Sequence, residues 1–188
     1  TIGANETVLL RVSLADKITI ESTWRTGAGS SGVSMVQCTQ PTVDCGPEMQ
    51  AAMDSGAHTV IVPATSTVGE STIQVNSTLY LRSNQTLVLQ PRVVLEAARG
   101  GHKDVVSPMF SSVDPSRVQR PMLFNSTIIG FGAALIMRQA DYNNPKLYDK
   151  SEDRAAIMLD DAHYVRIVGL NISFTGGDGI TVNGYEPS

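Results

Sequence analysis

Cysteine, aromatics and charge are all scarce in this chain. Its 188 residues hold two cysteines and one tryptophan, with aromatics at 5% and charged residues at 17%. Two cysteines exclude a disulfide-stapled miniprotein, so stability must come from a core, and a chain of this length can bury one. No apolar run approaches the roughly 18 residues that span a bilayer as a helix. The formal net charge is −4 and no Lys/Arg cluster stands out, so neither a nucleic acid nor an anionic membrane is expected as a partner. His-Glu-X-X-His, Gly-X-Ser-X-Gly and P-loop patterns are missing, which leaves no metal or cofactor motif. Gly27-Ala-Gly-Ser-Ser-Gly32 matches G-x-G-x-x-G. That fingerprint needs a helix at its last glycine, whereas the strand-like Val33–Cys38 follows, so the stretch reads as a Gly/Ser-rich loop.

With little charge to spend, the polar surface must come from Ser, Thr, Asn and Gln, which suits a sheet protein. The clearest stretch is 155–184. Ile157/Leu159, Val165/Ile167, Leu170/Ile172 and Ile180/Val182 alternate apolar with other residues, the period of a half-buried strand. Turn residues separate them: Asp160-Asp161, Gly169, Gly176-Gly177-Asp178-Gly179 and Asn183-Gly184. Ile180 follows Ile157 by 23 residues and reads as its return in a chain that coils in flat turns about 4.8 Å apart. Further strand-length runs are Thr59–Val62, Thr72–Val75, Thr78–Leu81, Thr86–Leu89, Val93–Glu96, Phe124–Ile129 and Ala134–Met137, with Gly130-Phe131-Gly132 as a turn. Residues 6–22 read as two more strands around Ala15-Asp16.

One helix is expected, over about 46–55. Pro47 and Glu48 suit its first turn, Gly56 its end, and Met49, Ala52 and Met53 share one face. Two insertions interrupt the strands, 98–121 and 138–154. They are expected to project as loops, with His102-Lys103-Asp104 at an exposed tip. Five of the eight asparagines stand in Asn-X-Ser/Thr sites: Asn5, Asn76, Asn84, Asn125 and Asn171. That frequency, with Thr1 rather than Met at the start, points to a secreted eukaryotic glycoprotein. In that compartment Cys38 and Cys45 would close a short disulfide loop; a reduced pair is the alternative.

Val165-Arg-Ile-Val-Gly-Leu-Asn-Ile172 followed by Gly176-Gly-Asp-Gly-Ile180 resembles the repeats of the pectate-lyase-like superfamily, and the likeness extends over roughly residues 44–184. The resemblance implies an all-β fold, a right-handed parallel β-helix solenoid whose N-terminal end is capped by the helix at 46–55. Residues 1–43 would form a separate N-terminal β segment and loop, and 44–188 the β-helix domain. No C-terminal cap is visible, so a further segment or another copy is expected at that end.

The same likeness implies a carbohydrate-active protein, lyase-like or hydrolase-like, acting on an extracellular polysaccharide. A hydrolase needs two carboxyls flanking the scissile bond, and a lyase needs a base with a cation. Asp178, Asp160 and Asp161 are the candidate catalytic carboxyls, and Glu96 is a further carboxyl on a strand. Arg138, Tyr142, Arg154 and His163 are the candidate substrate-binding rim around the second insertion. Plainer roles compete. Asp178 can be a turn former among glycines that need positive φ, Asp160 can stack on Asn183, and Arg138 and Arg154 can pair with Asp141 and Asp153. No metal ligand set is recognisable. One Gly-Gly-Asp-Gly hints at Ca2+ repeats, which require tandem copies. The alternative function is a non-catalytic structural or adhesive glycoprotein that assembles end to end.

Overall fold

The computed structural model describes residues 32–65, 69–117 and 122–184. They fall within the compact unit Ser31–Ser188. The strands expected within 6–22, the glycine-rich stretch before Gly32 and Asn5 lie outside the described residues. In chain order the elements are β1 (Val33–Met35), α1 (Gly46–Asp54), β2 (Thr59–Val62), β3 (Ser71–Val75), β4 (Leu79–Tyr80), β5 (Thr86–Leu89), β6 (Val93–Ala97), β7 (Phe110–Ser111), β8 (Leu123–Phe124), β9 (Thr127–Ile136), α2 (Gln139–Tyr142), β10 (Ile157–Asp160), β11 (Ala162–His163), β12 (Arg166–Ser173) and β13 (Ile180–Asn183).

Every strand pair among the described residues is parallel. Ile157 pairs with Ile180 and Asp160 with Asn183, the return that the 23-residue spacing predicts. The β-helix solenoid is nevertheless corrected. The strands divide among three sheets of seven, four and two strands, and the largest bends as a half-barrel. What breaks the regular winding is β9. The sequence places a turn at Gly130-Phe131-Gly132, yet β9 runs through those residues as one ten-residue strand. Its first part pairs with β5 and its second part with β6, and β12 lies against its length. One strand therefore merges two stacks into one branched sheet.

The reason lies in the glycines. Phe131 and Gly132 take φ of 45° and 85°, which bends the strand without ending its pairing. A Cβ on Gly130 would lie 2.3 Å from Leu170 Cδ2 and 2.7 Å from the Gly169 carbonyl. Only glycine lets β12 follow the bend, and β12 shifts register there between Val168 and Leu170.

Inward positions form a single apolar core that includes Val60, Ile73, Leu87, Leu95, Leu135 and Ile157. Parallel strands buried in this way need β-branched and aliphatic residues at alternate positions, which the sequence supplies. α1 covers part of that core with buried Met49, Ala52 and Met53. Its start is fixed by Asp44, whose Oδ1 accepts the Gly46 N–H at 2.9 Å and the Asn76 N–H at 3.1 Å. Gly56 leaves the helix with φ of 80°, the left-handed exit that glycine adopts most readily.

Cys38 and Cys45 form a disulfide. Cys45 is fully buried, donates its N–H to Gln74 O and accepts from Met49 N–H. The bond thus anchors the segment that follows β1 to the entry of α1. No helix among the described residues is long and apolar enough to cross a membrane, and the disulfide is compatible with an extracellular location. Reduction, or Cys38→Ser, should lower stability by about 2–3 kcal/mol, the loop-closure entropy of so short a ring. Urea melts with and without reductant measure this, and an unmoved midpoint would show that the bond supports nothing.

Candidate functional site

Strand register builds one polar cluster on the outer face of the large sheet. Gln74 on β3 pairs with Glu96 on β6, and Glu96 pairs with Ile136 on β9. Arg138 stands two residues past Ile136, so the period of the strand returns it to the same face. Gln74 Nε2 donates to Glu96 Oε2 at 2.6 Å. The Arg138 guanidinium then bridges two carboxylates. Nη1 donates to Glu96 Oε1 at 3.2 Å and Nε to Asp141 Oδ2 at 2.5 Å. Arg138 and Glu96 each keep more than a quarter of their side-chain surface open. A shared guanidinium holds the two carboxylates near each other, and a pair of carboxyls is what glycoside hydrolysis requires. The Asp141 hydrogen bond, opposed by partial burial and helped by the charges of Asp141 and Glu96, raises the Arg138 pKa.

The other proposed rim residues go elsewhere. Arg154 is fully buried. Among the described residues it pairs with no carboxylate; its Nε, Nη1 and Nη2 donate to the carbonyls of His102, Asp149 and Lys103 at 3.0, 3.0 and 3.1 Å. Its Cζ lies 5.3 Å from the ring centres of both Tyr142 and Tyr148, within cation–π range. Tyr142 is buried too, its hydroxyl has no hydrogen-bond partner among the described residues, and burial pushes its pKa up to about 12. His163 is exposed, 3.7 Å from Asp161.

Each of the proposed catalytic carboxyls has its own surroundings. Asp160 Oδ1 accepts from Asn183 Nδ2 at 2.6 Å, so it is a rung of a polar ladder. Asp161 leaves the strand with φ of 49°. Asp178 is exposed in the turn before β13, five positions ahead of the residue that Asp160 pairs with.

The Gly-Gly-Asp-Gly turn also has a different cause from the one expected. None of its glycines has positive φ. Instead a Cβ on Gly177 would lie 2.0 Å from the Glu152 carbonyl oxygen, and one on Gly176 would lie 3.0 Å from both Arg154 Cβ and Tyr142 Cδ2. The second insertion is packed onto this turn, backbone against backbone. The first insertion is tucked in as well. His102 is buried rather than an exposed tip, with Nδ1 3.1 Å from Ser107 O and Nε2 3.3 Å from Val75 O.

A second arginine network escaped the sequence reading. Arg82 Nε donates to Asp54 at 2.5 Å and its Nη2 to Asp114 at 3.0 Å, and Arg117 approaches the same two carboxylates at 3.9 and 3.5 Å. Burial pushes the Asp114 pKa up, but hydrogen bonds from Ser116 and the charge of Arg82 outweigh it and hold it below the ordinary value. The network ties the end of α1 to the first insertion, beside an open cleft of about 360 Å³ lined by His58, Asn84 and Gln85 among others. Its partners are 28 and 32 residues apart in sequence, and no local pattern signals such pairs. No group of three or more His, Cys, Asp or Glu among the described residues is placed to hold a metal.

Two outcomes test this geometry. Gly177→Ala must displace a backbone carbonyl, so it should cost about 3 kcal/mol or more, whereas Asp178→Ala in the same exposed turn should cost less than about 0.5 kcal/mol. Equal denaturation midpoints for the two variants would refute the close packing. Burial lowers the His102 pKa despite its carbonyl contacts with Ser107 and Val75. The unfolded chain therefore binds the proton first, and stability present above about pH 6.5 should fall as pH drops below it. Thermal melts from pH 7.5 to 5 should show that loss, and it should be absent in His102→Gln.

Compared with protein-family models, curated proteins and solved structures, the chain matches none, and nothing among them identifies a pectate-lyase-like superfamily.

Proposed function

We propose that this chain is a secreted, carbohydrate-active protein that engages an extracellular polysaccharide on the outer face of its large sheet. The observation that carries the reading is the Glu96–Arg138–Asp141 bridge. Two carboxylates share one cation whose side chain is partly open to solvent, so a sugar chain can reach the pair that such chemistry needs. The resemblance of residues 165–180 to the pectate-lyase-like superfamily supports it by analogy. Of the two chemistries, hydrolase-like suits the cluster better. A lyase would need Arg138 as the base, and its carboxylate neighbours keep it protonated. On this reading Arg138 orients the sugar through hydrogen bonds, and Glu96 and Asp141 divide the acid and base roles.

Two observations favour a non-catalytic structural or adhesive role instead. Both carboxylates are already ion-paired, and β12 and β13 expose the apolar Val168, Ile180 and Val182, which a further layer could cover.

Assay against a panel of neutral and acidic polysaccharides separates the two. The parent should release reducing ends from at least one of them. Glu96→Gln and Asp141→Asn should each lose about 100-fold or more, while Asp178→Asn keeps the parent rate. Binding without cleavage by the parent would support the structural role, and loss of activity in Asp178→Asn alone would move the site away from Arg138.

A further inference from the structure

Two of the Asn-X-Ser/Thr asparagines are neighbours in space although 41 residues apart in sequence. Thr86 on β5 pairs with Thr127 on β9, and Thr127 pairs with Arg166 on β12. Asn84, Asn125 and Tyr164 each stand two residues before these positions, and all three take the left-handed conformation, with φ of 57°, 53° and 55°. Asparagine tolerates that conformation well. The column is held by main-chain bonds, Asn84 N–H to Phe124 O at 2.9 Å and Asn125 N–H to His163 O at 3.0 Å. The side chains join it: Asn125 Nδ2 donates to Asn84 Oδ1 at 3.1 Å. Both residues are exposed.

We propose that Asn84 and Asn125 form one N-glycosylation site, which carries a single glycan in the folded protein. This rests on the reading of the chain as a secreted glycoprotein. The two amides stack at the layer spacing of parallel strands, about 4.8 Å. An N-acetylglucosamine residue with its acetamido group is wider than that. A glycan on one amide fills the space the other glycan would need, and the Asn84–Asn125 hydrogen bond fixes both side chains in the same direction. Asn76, also exposed, has its side-chain oxygen close to Gly101 rather than to a second acceptor asparagine, and it serves as an independent site. Sugars are attached before the chain folds, so a chain bearing both would fail to close the column and would be held back from secretion.

The test is expression of the chain in a eukaryotic secretory host, with intact mass and glycopeptide analysis of the secreted protein. Thr86→Val and Thr127→Val remove each acceptor pattern in turn while leaving both asparagines and the β-branched strand residue in place. The expected result is a glycan on Asn76, a glycan on Asn84 or Asn125 but never on both in one molecule, and higher secreted yield for either valine variant. Doubly occupied molecules at the frequency of independent sites would overturn the inference and leave the secreted reading standing. A glycan on Asn76 with neither Asn84 nor Asn125 occupied would overturn it too. Secreted protein with no glycan on Asn76, Asn84, Asn125 or Asn171 would remove the glycoprotein reading and this inference with it.

Discussion

A guanidinium with no water around it sets the terms for this structure. Removing Arg154 from solvent costs several kcal/mol before any compensation. The protein offsets that with three carbonyls and two aromatic rings rather than with a carboxylate. Carbonyls from His102 and Lys103 belong to the first insertion and that of Asp149 to the second. The carbonyl of Arg154 itself accepts the Gly176 N–H at 3.1 Å, in the last turn. Three segments distant in sequence must therefore close together or leave a charge buried and unpaired. Glycine at 176 and 177 is the steric condition for that closure.

This closure also decides where a site can be. Both insertions are folded down by it, so they do not form a loose rim over the sheet. Tyr148 hydroxyl donates to Gly101 O at 3.1 Å, and Tyr142 packs edge-on against Tyr148. Tyr142 is the last residue of α2, and Arg138 is the residue before its first. The buried tyrosine thus fixes the short helix that presents Asp141 to Arg138. The exposed cluster has its geometry set from beneath, which is what a preorganised binding group requires.

Much of the local structure was legible in the sequence, because period and turn chemistry are local signals. The helix face Met49/Ala52/Met53, the strands Thr59–Val62 and Thr86–Leu89 and the pairing of Ile157 with Ile180 all follow from spacing. The global class did not follow. Gly130 and Gly132 read as a turn, and only contact with Gly169 and Leu170 of β12 shows that they bend a continuous strand. Site residues failed for a related reason. Asp, Arg, Tyr and His in a polar insertion look solvated, and burial of Arg154, Tyr142 and His102 depends on partners far along the chain. The Asp160–Asn183 ladder was readable because both members lie on one repeat spacing.

Two arginines sixteen residues apart, Arg138 and Arg154, show why residue type alone could not assign roles. Arg154 directs each of its three nitrogens at a fixed backbone oxygen and is fully buried, so it can hold the fold but can meet no ligand. Arg138 has carboxylate partners on short, rotatable side chains and keeps part of its surface in water. Surface ion pairs of that kind are worth little, about 0–1 kcal/mol each. A sugar carboxylate or hydroxyl can exchange for one of them at small cost, whereas displacing a carbonyl from Arg154 would reopen the insertions. The weak bridge is therefore the one that can serve a substrate, and the strong clamp is what keeps it in place.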